Sequence, residues 1–582
     1  MSIATQSGSP QFPSFRESMP PSSQQEMDAA VEALQQQKDA WVALTPAERV
    51  ALLDRLIRDF AAITPRWVAA CQEAKGIAAA SPLAGEEWAL GPWPVLKNMR
   101  QLHQSLLDIE AIGYPRIPGP VKTRPNGQVV ARVFPQNIYD RLFFTGITAE
   151  IWMEPGVTVE NLAETQAVAY RDKQHKGRVA LVLGAGNVSS IGPMDILYKM
   201  FVEDQVVVLK LNPVNEYLGP LIKESFQALI EPGYVRLVYG GAAEGAYLCN
   251  HPGVDEIHIT GSDKTFDAIV FGPGPEGAKR KARRLRLLTK RVTGELGNVS
   301  PVIIVPGQWS EADLAYHAEH VVSMLTNNAG FNCNATRVII THAGWPQREA
   351  FLQQMREIMS KLPPRIAYYP GAQERQRIFL DAHPEAEQYG TASEGKLPWT
   401  LIAGVNPGQA DDLCFTTEAF CSLFSETALE AGSVTNYIER AVAFANDQLW
   451  GTLNATLIVH TTSLKDPAIA AAIERAVADL RYGTIGVNYW AGTGFPLAVT
   501  TWGAFPGHDI YDIQSGTGVV HNTLMFSQPQ KSVLRAPFRA VLTPPWFATR
   551  GTIASKLFPK LTEMEAAPSP WKVAGIVMAA VK

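Results

Sequence analysis

Cysteine is scarce: five in 582 residues, at Cys71, Cys249, Cys333, Cys414 and Cys421. No Cys-x-x-Cys pair or Cys/His cluster occurs along the chain, so neither a disulfide framework nor a metal site is predicted. A sparse, odd set fits a reducing compartment, and a cytoplasmic location is the expectation. Charge of one sign is also lacking. Against 51 Lys and Arg stand 56 Asp and Glu, a formal net charge of −5 that implies no general attraction to nucleic acid. Long hydrophobic runs are absent, so no transmembrane segment is predicted. The stretch Met1 to Ser23 is rich in Ser, Pro and Gln and lacks the basic start and apolar core of a signal peptide. Residues 1–25 are expected to be disordered or draped over the surface. What is present is 46% apolar and 18% charged, an ordinary globular composition in a chain too long for a single core.

The order of elements is legible from periodicity. Thr45-Pro46-Ala47-Glu48 combines an N-cap, a first-turn proline and a capping-box glutamate. Leu52, Leu53, Leu56, Ile57 and Phe60 follow at helical spacing. The stretch 114–176 is rich in Pro, Gly and β-formers and is read as a β-hairpin arm. From Gly177 strands and helices alternate: strands at 179–183, 206–209, 235–238 and 257–260, with helices at 194–203 and 221–230 between them. Such alternation predicts a parallel, doubly wound sheet with ligands at the carboxyl ends of the strands. A second alternating block starts at Pro301, with strands at 302–305 and 337–341 and a helix near 314–325. The fold class expected is α/β, with two doubly wound domains. The divisions are 26–295, a cofactor domain with the arm inside 114–176; 296–505, a second domain carrying Cys333; 506–535, a return segment; and 536–582, an apolar tail. The basic run Lys279-Arg280-Lys281-Ala282-Arg283-Arg284-Leu285-Arg286 is read as a solvated insertion face.

Cys333 is the residue with the most chemical promise. Asn332 and Asn334 flank it and Gly330 precedes it, an exposed connection rather than a core position. Glu295, in Gly294-Glu295-Leu296-Gly297, is a candidate base for water. Asn187, after Gly184-Ala185-Gly186, is a candidate donor to an oxyanion beside the Cys333 backbone N–H. Lys210 ends a strand, where it can reach ribose hydroxyls. Read singly, each has a bland alternative: a buried thiol, a loop salt bridge, a turn cap, a solvated lysine.

In order, these motifs resemble the aldehyde dehydrogenase superfamily from about Ala29 to His521. Gly294-Glu295-Leu296-Gly297, Ser300-Pro301, Asn328-Ala329-Gly330 and Cys333 carry most of the likeness, with Thr260-Gly261-Ser262, Glu418-Ala419-Phe420, Asn446-Asp447 and Ser515-Gly516-Thr517-Gly518 behind them. The resemblance implies that Cys333 attacks an aldehyde, that Asn187 holds the oxyanion, and that a thioester on Cys333 is hydrolysed by water activated at Glu295. It implies NAD or NADP as cofactor, held by Lys210, Gly240, Gly241, Gly245, Gly261, Ser262, Glu418 and Phe420. Trp152, Phe331, Asn332, Asn488 and Phe505 are the candidates for the substrate pocket. A homodimer or homotetramer built through the arm is expected, with the tail over an interface or a substrate entrance; contact of that tail with a membrane surface is a further option.

The chain departs from the family pattern at several points. Phe331 replaces a usual Gln, Arg337 stands one residue early, and Leu211-Asn212-Pro213 lacks the acid that NAD-preferring members often carry three residues after the lysine. Two rivals remain: a CoA-linked fatty-acyl or acyl-CoA reductase on the same fold, and a catalytically silent structural or binding homologue. Retention of Glu295 argues against the first, and the intact Cys333, Glu295, Asn187 and Lys210 set against the second.

Overall fold

The computed structural model describes residues 19–172 and 175–581. The expectation of disorder for residues 1–18 lies outside them. Residues 19–25 do not behave as a loose tail. Ser22 exchanges hydrogen bonds with Tyr239, each at 3.1 Å. Ser23 and Glu26 form a capping box that starts α1 (Gln24–Ala43). That Ser-x-x-Glu signature satisfies two otherwise orphaned backbone donors, and it stands in the sequence. Helix α2 (Pro46–Ala74) begins at Thr45 with the capping box expected there. Two more helices, α3 (Ala84–Leu90) and α4 (Pro92–Ile112), complete the N-terminal layer.

Two sheets organise the rest. Strands β4 (Val179–Leu183), β5 (Val206–Lys210), β6 (Val235–Val238), β7 (Glu256–Gly261) and β8 (Arg291–Leu296) pair in the order β8-β7-β4-β5-β6, all parallel. Their Val- and Ile-rich runs are buried, as a sheet covered on both faces requires. The strand order reverses between β4 and β7, which opens a crevice at their carboxyl ends. The short strand Gly516–Thr517 pairs antiparallel with β8 and closes that edge.

The second sheet has eleven strands. Its parallel centre contains β9 (Ser300–Ile304) and β10 (Thr336–His342), flanked by Leu423–Leu429, Trp399–Ile402, Asn454–Ile458, Thr484–Val487 and Pro529–Arg535. The chain crosses from one sheet to the other in three residues, Gly297 to Val299, between β8 and β9. Glu295 therefore stands at the end of the first sheet and Cys333 just before a strand of the second.

The arm strands are β1 (Val121–Thr123), β2 (Val129–Phe134) and β3 (Thr148–Met153). They do not form a separate element. β3 pairs antiparallel with Pro529–Arg535, and through it the arm extends the eleven-stranded sheet of its own chain. Apolar residues on β2 and β3 explain the docking: Val129, Ala131, Val133, Ile151 and Met153 are buried with Leu534.

The tail is also tied down. Helix Gly551–Ala566 packs over α3 and α4 and Val573–Val581 packs on that helix, so that Phe558, Leu561, Met564 and Ile576 share one apolar cluster with Trp93. Lys97, on α4, is buried between Asp140 at 3.1 Å and Glu565 at 3.0 Å. The body of the same chain thus covers one face of the tail, while Trp571, Val577, Met578 and Val581 stay exposed. No helix among the described residues is long and apolar enough to cross a membrane. The basic run forms the end of helix Gly274–Ala282 and the turn after it, with Arg284 paired to Asp509 at 2.8 Å.

This packing gives a direct contrast. Phe558→Ala removes a ring buried against Trp93 and should lower unfolding free energy by about 3–5 kcal/mol in urea titrations. Trp571→Ala, at a residue 92% exposed, should change it by less than about 0.5 kcal/mol. Equal effects would show that the tail is not held as described.

Candidate active site

Cys333 follows a sharply kinked turn. Asn328, Ala329 and Gly330 have φ values of 52°, 56° and 84°, three left-handed residues in succession. Such a turn persists only where its surroundings hold it. A Cβ on Gly330 would lie 2.6 Å from the Cys421 carbonyl oxygen, so glycine is required by space as well as by φ.

The Asn328 side chain is the hub of that support. Its amide donates to the Asn187 carbonyl and to Asn332 Oδ1, each at 2.9 Å. Its oxygen accepts from Lys75 Nζ at 2.9 Å and from the Tyr368 hydroxyl at 3.0 Å. Lys75 is fully paired with Glu87, at 2.9 and 3.0 Å, and both are buried. Arg337 clamps the other side of the turn. Its guanidinium donates to the carbonyls of Gly330, Cys421 and Leu423 at 2.7, 2.7 and 3.1 Å. Its early position after Cys333 is what lets it reach back under the loop.

Asn187 lies after β4, buried, and donates from Nδ2 to the Phe331 carbonyl at 2.8 Å. A primary amide carries two N–H donors, so one is committed to the loop and a second can serve a ligand. The Asn187 carbonyl is itself held by Asn328 and by the Tyr368 hydroxyl at 2.9 Å.

Glu295 is 2% exposed on β8. Burial pushes its carboxyl up to about 7, against weaker opposing pulls from the Trp502 indole N–H and the Cys333 thiol. Its Oε1 and Trp502 Nε1 nevertheless close no hydrogen bond by geometry. Burial also raises the Cys333 thiol, helped by the charges of Glu295 and Glu418. Glu418 is pushed up to about 8 by burial, with Arg337 and Arg375 pulling it down. The structure therefore brings Cys333, Glu295 and Glu418 together as mutually sensitive acids, and Asn187 meets the same loop through Phe331.

The remaining residues fall into three groups. Lys210 ends β5, mostly buried, and is lowered to about 8 by burial, with Glu244 and Glu216 opposing. Gly240 takes φ 127°, and a Cβ there would meet the Glu244 carboxyl. Gly241 donates its N–H to Glu244 Oε2 at 2.6 Å, and Gly245 lies in the helix Ala242–Asn250 that follows. Gly261 ends β7; Ser262 caps the helix Asp263–Phe271 through the Thr265 N–H at 3.2 Å. A side chain at Gly297 would collide with the Glu418 carboxyl, so that glycine makes the space Glu418 occupies.

The pocket candidates divide. Phe331 is buried against Tyr368, Tyr369 and Phe420, with ring centroids 5.0, 5.9 and 5.9 Å away. Asn332 is tied to Asn327 and Asn328. Asn488, at φ 59°, accepts from the Val459 N–H at 2.8 Å. Trp152 belongs to the arm, with the Arg124 guanidinium 4.0 Å above its ring; Phe505 lies under Lys531 Nζ at 5.0 Å. These contacts give each of them a packing or positioning role.

Lys75, Glu87 and Tyr368 carried no sequence signal, because Lys75 reaches Asn328 across 253 positions. Trp502 reads as one aromatic among several. Glu216 and Glu244 are spaced irregularly from Lys210, and only the turn after β5 brings Glu216 near it.

Residues 179–368 match the model of the aldehyde dehydrogenase family. The chain is 30% identical over 299 residues to aminoacetaldehyde dehydrogenase of Pseudomonas aeruginosa, covering 48% of this chain and 53% of that protein. It is 33% identical over 137 residues to human 4-trimethylaminobutyraldehyde dehydrogenase, 23% of this chain and 24% of that one. The matched sequence thus spans about half the length of the first relative and less of the second. Solved structures agree over far more of the chain. Aldehyde dehydrogenase C from Pseudomonas syringae, complexed with NAD+ and octanal, has a TM-score of 0.60 at 18% identity, covering 93% of this chain and 95% of that one. The NADP-dependent glyceraldehyde-3-phosphate dehydrogenase of Bacillus halodurans, complexed with NADP, has a TM-score of 0.58 at 18% identity, covering 89% and 92%.

The buried pair under Asn328 is open to test. Lys75→Met leaves Glu87 buried and uncompensated, and should cost about 3–5 kcal/mol of stability in denaturant titrations. Adding Glu87→Leu should restore most of that loss, while catalytic turnover stays depressed because Asn328 has lost its lysine. Full recovery of turnover in the double variant would remove the pair from the site's support.

Proposed function

We propose that this chain, whose residues 179–368 match the aldehyde dehydrogenase family model, oxidises an aldehyde to a carboxylic acid through a covalent intermediate on Cys333. The observation that carries this reading is the meeting of a thiol and a glutamate in one largely buried site, with Glu295 raised to about 7. A base in that range is still charged for much of the time at neutral pH and is strong enough to take a proton.

The Cys333 thiol first releases its proton to solvent, and the thiolate adds to the aldehyde carbon. The second N–H of Asn187 and the Cys333 backbone N–H hold the oxyanion that forms. NAD or NADP, when bound, supplies the acceptor for the hydride that converts the thiohemiacetal to a thioester. Glu295 then takes a proton from water, which attacks the thioester carbon; the acid leaves and Cys333 recovers its hydrogen. Retention of Glu295 favours hydrolysis over transfer to CoA. Assays with and without CoA separate the two, and a protein inert to every aldehyde offered would be the silent homologue.

The residues present fit a dinucleotide. The crevice lies at the strand-order reversal, and Glu418 Oε1 is buried with no hydrogen-bond partner. Lys210 and Glu418 would hold the two riboses. The position three after Lys210 is Pro213, yet Glu216 and Glu244 both act on the Lys210 charge. Two carboxylates at the adenosine ribose would repel a 2′-phosphate, so the reading prefers NAD to NADP.

Two outcomes follow. Glu295→Gln should keep a burst of reduced cofactor in rapid mixing while steady turnover falls by about 10²–10⁴-fold. In the unaltered protein turnover should fall as pH drops through about 7, where the raised Glu295 carboxyl gains its proton, and that acid limb should be missing from the variant. A burst lost in step with turnover would remove Glu295 from deacylation. Separately, Glu216→Gln should lower KM for NADP relative to NAD by on the order of tenfold, one neighbouring charge being worth about that much. An unchanged ratio would take Glu216 out of cofactor choice.

A further inference from the structure

A second constellation lies outside the Cys333 site. His383 follows the helix Ala372–Ala382, and Asp412 caps the short helix Leu413–Thr416 by accepting the Cys414 N–H at 2.8 Å. His383 Nε2 stands 3.1 Å from Asp412 Oδ1 and 3.6 Å from Cys414 Sγ. One atom from each of the three residues falls within 4.8 Å of the others. All three residues are at least nine-tenths buried. The other imidazole nitrogen, Nδ1, is 3.0 Å from Glu385 Oε1. A cavity of about 460 Å³ adjoins the group, lined by His383, Glu385, Asn406, Asp411, Asp412 and Leu413.

We propose that His383 Nε2, the Asp412 carboxylate and the Cys414 thiolate form a three-ligand site for a divalent transition metal of the zinc class, with its fourth position open to the cavity. Zinc bonds of about 2.0–2.1 Å to N and O and about 2.3 Å to S place neighbouring ligand atoms roughly 3.3–3.7 Å apart in a tetrahedron. The observed 3.1 and 3.6 Å need only small shifts to meet that. A thiolate with an imidazole selects zinc or cobalt over magnesium or calcium. Glu385 sits where a carboxylate holds the free N–H of a metal-bound histidine and fixes its tautomer. The charges balance, since a dication meets one carboxylate and one thiolate, and the thiol proton leaves to solvent.

A Cys–His nucleophile pair would be the other reading of these atoms. The Asp412 oxygen lies nearer to Nε2 than the sulfur does, so the nitrogen is shared between two would-be ligands rather than committed to the thiol. Sequence spacing conceals the site: His383 and Asp412 are 29 positions apart and form no metal motif, which is why none was predicted. Position gives the site a consequence. Glu418 follows Cys414 by four residues, just beyond the helix Leu413–Thr416, so a bound ion would stiffen the segment that carries it.

The test uses the full chain, stripped with chelator and titrated with Co2+ alone. One equivalent per chain should give a near-ultraviolet thiolate-to-cobalt charge-transfer band, displaced by Zn2+. The band should persist in Cys333→Ala and vanish in Cys414→Ala. Glu385→Gln alters an exposed side chain and leaves the ligands in place; it should weaken Co2+ binding about 10–100-fold while the circular dichroism spectrum is unchanged. No band, or a band lost in Cys333→Ala and kept in Cys414→Ala, would overturn the assignment. None of these readings depends on aldehyde oxidation, so the metal site and the proposed activity stand or fall separately.

Discussion

Ionisable groups have to work in a largely buried place, and the rest of the site is arranged around that. Burial is the first cause of the raised values of Glu295, Glu418 and the Cys333 thiol. Asp195 behind them is raised in the same way, with Glu295 as its next cause. Charges so close together oppose one another's ionisation, so the group titrates as a set. A site of this kind gives a glutamate the strength of a neutral-range base.

Such crowding demands rigid support, and the fold supplies it from outside the two sheets. Lys75, the C-cap of α2, and Glu87 of α3 form the pair that fixes Asn328, and Asn328 fixes both the kinked turn before Cys333 and the backbone of Asn187. Arg337 holds the turn to the segment that carries Glu418 and Phe420. Removing one member of a buried hydrogen-bonded set leaves the others unsatisfied, so the network acts as a unit. The three-residue crossing at Gly297 to Val299 sets the two sheets at the distance where Glu295 and Cys333 meet.

The candidate site residues were legible in the sequence because they sit in short local motifs. Glycines beside Glu295, the asparagines around Cys333 and the strand before Lys210 each announce a loop at the end of a strand. The sheets were legible for the same reason, as runs of β-branched residues at regular intervals. The supports were not. Lys75 and Glu87 read as ordinary helix-surface charges, and their burial depends on a partner 253 positions away from Lys75. The docking of the arm on its own sheet depends on pairing of β3 with Pro529–Arg535, which no local pattern encodes. Residues 19–25 show the opposite case, since Ser23-Gln24-Gln25-Glu26 is a local helix start overridden in the reading by the polar composition around it.

The central claim is that the reacting carbon becomes bonded to Cys333, and mass spectrometry of quenched mixtures examines it most directly. Protein mixed with NAD and an aldehyde that it turns over, stopped in acid and digested, should yield the Cys333 peptide carrying the acyl group of that aldehyde. The label should appear only when both cofactor and aldehyde are present. An unmodified Cys333 peptide during sustained turnover, or an acyl group on another residue, would contradict the account.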